Sequence, residues 1–418
     1  MKVGIVERLS QALKVAEDLA HAGKMGVAVS GGGDSMALLS LLHPWCAERC
    51  IELRIISVDH GIRPESRSEC SRVGAFAAEL GAAHEILTCE QIPPGNLQDA
   101  ARRLRYTMIA SWAARNGLAN VALAHTLDDQ AETFLLNLAR GSGVDGLSAM
   151  PIVVRRRGIR WLRPLLKVSR AELRTHLKDR GIAWIDDPSN NDERFDRVKA
   201  RRLLDSVGEL GASKERLAAT AERMQEAREV LEDVATGAAV KVMTVGELGD
   251  VHFSGGFWGL GKETRLRLAA GAIRRVSGSD YRPRIATLFS ALKAVRSGKG
   301  FTLSGSHFVA GADLGFSVVR ELAACGPSVA ADAIWDRRWR LADKPAPPGS
   351  VIGPLGEEGL RECEEWRRTS QLRESLIASP ALRAGEELLS APFAGMPNGW
   401  RFRRACDHGA DAPDSVPV

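Results

Sequence analysis

Six consecutive residues, Ser30, Gly31, Gly32, Gly33, Asp34 and Ser35, join three glycines to a carboxylate and two hydroxyls. With no side chains in the way, backbone NH groups of such a loop can close on phosphate oxygens, above all where the loop opens a helix. A Walker loop is excluded, because it needs a lysine at the helix start and Met36 and Ala37 stand there. A carboxylate beside a polyphosphate adds repulsion unless a cation sits between them, so Asp34 is a candidate Mg2+ contact. A tight packing turn is the plainer alternative, but three glycines cost more backbone entropy than a turn requires.

Three further segments carry charge in patterns that could do chemistry. In HTLDDQAETFLLNLARGSG, from His125 to Gly143, Asp128 and Asp129 fall in the first turn of a helix, where acids suit the helix dipole. Asp129 and Glu132 are three apart, share a face, and can hold an ammonium group between two carboxylates. An ordinary capped helix would look similar, and a metal site of His125, Asp129 and Glu132 would offer a hard cation too few oxygens. In NLQDAARRLRYTMIASW (96–112), Arg102 and Arg105 share a helical face beside Tyr106. The arginines can pair with phosphate or a base oxygen while the tyrosine stacks; a solvated basic face reads the same way. In DDPSNNDERFDRVKARRLL (186–204), Arg194, Arg197 and Arg201 recur at helical spacing, a stripe suited to a phosphate-rich partner.

The elements that must position these residues alternate. MGVAV (25–29), IELRIISVDHG (51–61), HEILT (84–88) and NVALAHT (120–126) read as strands, with helices after the glycine loop, over 66–80 and over 97–115. Continuously apolar strands between helices predict a parallel sheet covered on both faces, with ligands at the carboxyl ends of the strands. Residues 151–166 read as two extended segments around Arg157 and Gly158, and a helix follows over 169–180. A long charged helix over 213–234, with a loose stripe of Leu217, Met224, Val230 and Leu231, reads as a connector. Residues 240–325 mix a helix over 262–276 with extended pieces over 301–321. Dense Pro and Gly over 342–356 precede an Arg- and Trp-rich segment and a polar tail. The expected domains are 1–205, 206–325 and 326–418.

Composition sets outer limits. A chain of 418 residues with 44% hydrophobic and 26% charged residues is neither one small module nor a disordered polymer. The 57 basic and 52 acidic side chains leave +5, which permits an anionic partner without demanding one. Seven cysteines (46, 50, 70, 89, 325, 363 and 406), with no CxxC pair, suggest neither a disulfide framework nor a zinc or iron–sulfur site. A reducing cytoplasm is the expected location. The N-terminal segment reads as an amphipathic helix rather than a secretory signal, and no run reaches the roughly 18 to 20 apolar residues of a membrane span.

The loop resembles the SGGxDS loop of the N-type ATP pyrophosphatases, the PP-loop family, whose members cleave ATP between its α and β phosphates. Joined in this order to VDHGIRPES, ARRLRY, HTLDDQAET, RGSGVDGL, RPLL and DPSN, it makes residues 25–205 similar to the tRNA(Ile)-lysidine synthase family. Beyond 205 the likeness is thinner, though the long helix, the FTLSG to VVRE segment and IWDRRW (334–339) look like that family's accessory tRNA-binding domains. The chain departs from the pattern where Val198 follows Arg197, since the family often has Asn there.

The resemblance implies an α/β fold: a Rossmann-like PP-loop ATPase domain with a parallel sheet, followed by smaller helical and α+β accessory domains. It implies ATP and Mg2+ as cofactors, and tRNA(Ile) with a CAU anticodon and free L-lysine as partners. ATP adenylates the C2 oxygen of the wobble cytidine, and the lysine ε-amine then displaces AMP. On this pattern Ser30 to Ser35 hold the nucleotide, with Asp34 on the metal. Asp34, Arg105, His125, Asp129 and Glu132 serve catalysis, while Arg102, Arg105, Asp129, Glu132, Arg197 and Arg201 hold substrate. Free lysine has a pKa of about 10.4, so a carboxylate or His125 must take its proton. The wobble base must also leave its stack, and the Arg-rich WRRTSQLR (366–373) and GWRFRRA (399–405) are the expected tRNA contacts that offset this cost.

Two alternatives stand beside this one. A tRNA thiolase of the same loop family needs reactive or cluster-binding cysteines, whereas Cys46 and Cys50 read as packing residues. A non-catalytic tRNA-binding protein has no need of intact Asp34, Asp129 and Glu132. The sequence leaves the oligomeric state open, a homodimer included.

Overall fold

The computed structural model describes residues 4–14, 23–59, 65–89, 97–186, 196–279, 282–342 and 344–405. In the first of two compact units, Met1–Arg228, α1 (Ile5–Lys14) is followed by β1 (Lys24–Ala28), α2 (Gly33–Ala47), β2 (Glu52–Asp59), α3 (Glu65–Glu79), β3 (Ala83–Thr88) and α4 (Leu97–Arg115). Then come β4 (Asn120–Ala122), α5 (Leu127–Ala139), α6 (Val144–Leu147), β5 (Val153–Arg156), β6 (Ile159–Leu162), α7 (Arg170–Asp179) and α8 (Asp196–Glu209). The sheet order is β3-β2-β1-β4-β6-β5, parallel throughout except for β5, which runs antiparallel on the β6 edge. Arg157 and Gly158 both take positive φ, +56° and +74°, as a two-residue turn matched to strand twist requires.

Chain order reverses at β1, which has β2 on one side and β4 on the other. In an open α/β sheet this is the point where a crevice forms beyond the carboxyl ends of the strands. The glycine loop leaves β1 there, and the HTLDD segment follows β4. The strand expected over 120–126 stops at Ala122, because Thr126 already caps α5. One face of the sheet packs Val27 and Ile55 against Leu38, Leu42, Leu173 and Leu177; the other buries Ile56, Trp112, Val121 and Trp161. Each such side chain contributes about 1.5 to 3 kcal/mol of burial, so the strand ends that carry the site rest on a stiff base.

The division between units falls inside α9 (Lys214–Val242), a helix longer than the 213–234 expected. Its core contacts are made largely by alanines: Ala221 joins a cluster with Phe134 and Leu204, against which Leu217 of the expected stripe also packs, and Ala235 and Ala239 join the apolar core of the second unit together with Val242. Val230, expected in the apolar stripe, is exposed.

The second unit, Glu229–Cys406, continues with β7 (Met243–Val245), β8 (Val251–Phe253), α10 (Lys262–Ser277), α11 (Ile285–Arg296), β9 (Phe301–Leu303), β10 (Ser306–Ala310) and β11 (Phe316–Arg320). These strands form an antiparallel sheet ordered β7-β8-β11-β10-β9. After β12 (Val329–Ala330), β13 (Trp339–Ala342), β14 (Val351–Pro354), α12 (Gly356–Glu362) and α13 (Arg373–Ile377) come β15 (Pro380–Ala384), β16 (Glu387–Ser390) and β17 (Arg401–Arg404). They make a four-stranded sheet, β12-β14-β15-β16, and a β13-β17 ribbon around a separate apolar core. Asp336 and Arg338 of the IWDRRW segment are buried, and Asp336 pairs with Arg320 and Arg338 at 2.8 Å each. That motif therefore holds the unit together from within. Among the described residues no helix is long and apolar enough to cross a membrane.

Candidate active site

Gly31 lets the chain turn out of β1 at φ +83°, and Gly32 is the N-cap of α2 without a side-chain hydrogen bond. The first NH groups of α2 consequently stay open to an anion, in the field of the helix N-terminus. Ser35 pins the loop: its Oγ donates to Gly32 O at 2.8 Å and accepts from Ser30 N at 3.1 Å. Ser30, expected among the nucleotide contacts, is exposed at the loop entrance.

Across the crevice, Thr126 and Asp129 form a capping box on α5, with Asp129 Oδ2 accepting from Thr126 N at 2.8 Å. This fixes the Asp129 carboxylate. Its Oδ1 accepts from Arg170 Nη2 at 2.8 Å. Arg170 also donates through Nη1 to Glu132 Oε1 at 2.5 Å and through Nε to Asp34 Oδ2 at 3.1 Å. One guanidinium thus binds three carboxylates, and the place expected to hold an ammonium between Asp129 and Glu132 is spanned by Arg170. Arg201 Nε reaches Glu132 Oε1 at 2.7 Å, and Arg197 Nη1 lies 3.7 Å from Asp129 Oδ1. The Arg197 and Arg201 stripe, read from sequence as phosphate-facing, is turned onto these carboxylates; Arg194 lies outside the described residues. Three carboxylates and three guanidiniums balance, so the buried Asp129 and Glu132 carboxylates are each paired with a cation.

Asp128 takes no part in that cluster. It accepts from Lys214 Nζ at 2.7 Å and from the Arg170 backbone N at 2.8 Å, tying α7 to α5. Val198, the departure from the family pattern, is buried on the inner face of α8.

Among the described residues, Asp34 Oδ1, Glu132 Oε2 and His125 Nδ1 are buried polar atoms of the site with no hydrogen-bond partner. Each such atom costs about 1 to 3 kcal/mol, a cost a bound ligand would relieve. Burial raises the Asp34 pKa, against the pull of Arg170, so a cation at Oδ1 would favour its charged form. Burial pushes the Asp129 carboxyl up, but Arg170, the Thr126 backbone and Arg197 hold it below the usual range. His125 is held down to about 3 by burial and by Arg163, Arg102 and Arg197 around it. It is neutral at physiological pH.

Arg102 and Arg105 lie 5.5 and 5.9 Å from the Tyr106 ring centroid. Arg102 is exposed and Arg105 half-buried, and burial lowers the Arg105 pKa. Tyr106 is not a stacking platform for a base. It is buried and meets Trp161 edge-on at 4.7 Å. Among the described residues no group of three His, Cys, Asp or Glu side chains is arranged to hold a metal by itself. A single Asp34 oxygen beside phosphate oxygens is nonetheless an ordinary Mg2+ environment, and the unpartnered Oδ1 fits it.

Sequence reading missed Arg170, the hub of the cluster. Its signal was present: Ser169 and Glu172 make the capping box that opens α7 and puts Arg170 at the first helical position. Nothing local says that this end faces α5, 38 residues away.

A strand, a glycine loop with open NH groups and an acid in the first helical turn, set at the point where strand order reverses, define an ATP-using PP-loop domain. The PP-loop domain family model matches residues 2–207. A tRNA(Ile)-lysidine synthase from Ruegeria pomeroyi is 42% identical over 380 residues, covering 90% of each chain. Others are 40% identical over 279 residues in a Bradyrhizobium species (64% of this chain, 78% of the relative) and 39% identical over 289 in Wolbachia pipientis (68% and 67%). The chain belongs to the tRNA(Ile)-lysidine synthase family. Among solved structures, a U34-tRNA thiolase from Methanococcus maripaludis with a 4Fe-4S cluster superposes with a TM-score of 0.45 at 19% identity, over 53% of this chain and 79% of that one.

Proposed function

We propose that the chain is a cytoplasmic, ATP-dependent ligase that converts the wobble cytidine of the CAU anticodon of tRNA(Ile) to lysidine, with free L-lysine as the amine. The observation that carries this reading is the cluster in which Arg170 joins Asp34 of the nucleotide loop to Asp129 and Glu132, leaving Asp34 Oδ1 and Glu132 Oε2 buried and unpartnered. One orphan oxygen lies at the nucleotide loop and the other at the paired carboxylates, as a reaction needing a metal–nucleotide complex and a cationic amine requires.

In the first step the cytidine C2 oxygen attacks the α-phosphorus, and the bond to the bridging oxygen breaks, its electron pair leaving with pyrophosphate. Open NH groups of α2 stabilise the growing charge. Mg2+ held at Asp34 would supply further charge neutralisation. In the second step the amine nitrogen attacks C2, and AMP departs with the former base oxygen. Glu132 Oε2 holds the incoming ammonium and accepts its proton, while Arg170 and Arg201 on the opposite oxygen lower the ammonium's own pKa. His125, already neutral and poor as a base, serves as a fixed polar neighbour of the reacting base. Arg102 and Arg105 contact the anticodon phosphates.

In the second unit, the exposed Arg367, Arg368, Arg401 and Arg403 form a tRNA-holding surface of the accessory part over 326–418, with 206–325 as a further accessory part. Against thiolation, Cys46 is buried and its thiol is pushed up to about 12 by that burial, as suits a packing residue rather than a reactive one. The direct test is incorporation of labelled lysine into an isoleucine tRNA transcript with ATP. Label should enter the CAU transcript and not one carrying uridine at the wobble position; equal labelling of both would refute the substrate.

A further inference from the structure

The backbone after α7 is laced into the glycine loop: Ile185 N donates to Gly31 O at 3.0 Å, and Gly32 and Ile185 form a parallel bridge. Between that strap and the loop lies Arg174, one helical turn beyond Arg170. Its Nη2 is 3.2 Å from Asp186 Oδ1, which also accepts from Trp184 Nε1 at 3.1 Å, and the guanidinium lies 4.9 Å from the Trp184 ring centroid. These contacts orient the planar fork and leave its other arm pointing at the loop. A Cβ added to Gly33 would meet Arg174 Nη1 at 1.8 Å, so a side chain there would displace the guanidinium from its place against the first residue of α2. Arg174 Nη1 is buried and has no acceptor among the described residues, and the side chain is close enough to act electrostatically on Asp34.

We propose that Arg174 is a phosphate-contacting residue of the nucleotide site, whose free Nη1 arm binds the departing pyrophosphate. A buried guanidinium arm at the open N-terminus of a helix lacks only an anion. As the bond from the α-phosphorus to the bridging oxygen breaks, charge collects on the pyrophosphate; a charge-assisted hydrogen bond from Nη1 strengthens there, beside the α2 NH groups. Arg170 is committed elsewhere, since each of its three nitrogens already donates to a carboxylate. The assignment rests on the reading that ATP is cut between its α and β phosphates.

The experiment uses the full chain with Arg174→Met, which keeps an apolar stem against Trp184, and Arg174→Lys. Pyrophosphate and AMP are each titrated as inhibitors of lysidine formation, and tRNA-dependent ATP–pyrophosphate exchange is measured alongside. In Arg174→Met the inhibition constant for pyrophosphate should rise about 10-fold or more, as loss of one hydrogen bond to a charged group implies, with AMP inhibition and the KM for lysine unchanged. Arg174→Lys should fall between wild type and Arg174→Met. If the two inhibition constants rise together, Arg174 merely supports the strap and the proposal is overturned; unchanged constants overturn it as well. Should Arg174→Met fail to fold, Arg174→Lys decides by the same comparison. A wild-type chain that releases no pyrophosphate would sink the reaction itself, an outcome distinct from silent variants of an active enzyme.

Discussion

Asp34 and Glu132 each present one engaged and one orphan oxygen, and their substitutions should separate the two halves of the reaction. Asp34→Ala should lower tRNA-dependent ATP–pyrophosphate exchange by about 100-fold or more while tRNA affinity holds; surviving exchange would remove the loop from the mechanism. Glu132→Gln should raise the KM for lysine about 10-fold with exchange retained, and an unchanged KM would place the amine elsewhere. His125 gives a pH signature. Its folded pKa, about 3, lies below the unfolded 6.5, so the unfolded chain binds the extra proton and stability is lost as pH falls from about 6.5 toward 3. Thermal melts of His125→Gln should show a shallower loss across that window, and parallel curves would mean that His125 is not buried in the neutral form. At this scale the sequence showed which residue types matter but not how they pair. Asp129 and Glu132 were legible as two carboxylates on one face, whereas their cation comes from α7, and no local pattern in HTLDDQAET points to it.

At the scale of elements, α7 sets the site, because its first and fifth residues, Arg170 and Arg174, address the carboxylates and the loop. The Ser169 capping box fixes that end, with Ser169 Oγ donating to Glu172 Oε2 at 2.8 Å. Ser169→Ala should cost about 1 kcal/mol of stability and reduce turnover as well; a stability loss with full activity would separate the cap from the site. Element positions were largely readable, since period and punctuation are local: the helix expected over 97–115 spans Leu97–Arg115, and the turn at Arg157 and Gly158 joins β5 to β6. The failures were tertiary. Tyr106 is buried against Trp161 because α4 packs on the sheet, and of the stripe expected on α9 Leu217 meets a core, while Ala221, Ala235 and Ala239, which no apolar stripe emphasises, make much of the rest.

For the whole molecule, the chain divides into a nucleotide-site unit and a second unit with its own cores. If the second unit's exposed arginines hold tRNA, affinity for tRNA should fall linearly on logarithmic axes as salt rises. A full-length chain carrying Arg367→Glu and Arg401→Glu should bind tRNA more weakly with a smaller salt slope. Filter binding that shows wild-type affinity in the double variant would remove those arginines from the interface. Which bond of ATP is cut can be read directly from α-labelled ATP incubated with tRNA and lysine. Label should appear in AMP, in step with lysine entering the tRNA; label in ADP would mean that the terminal phosphoryl group moves instead.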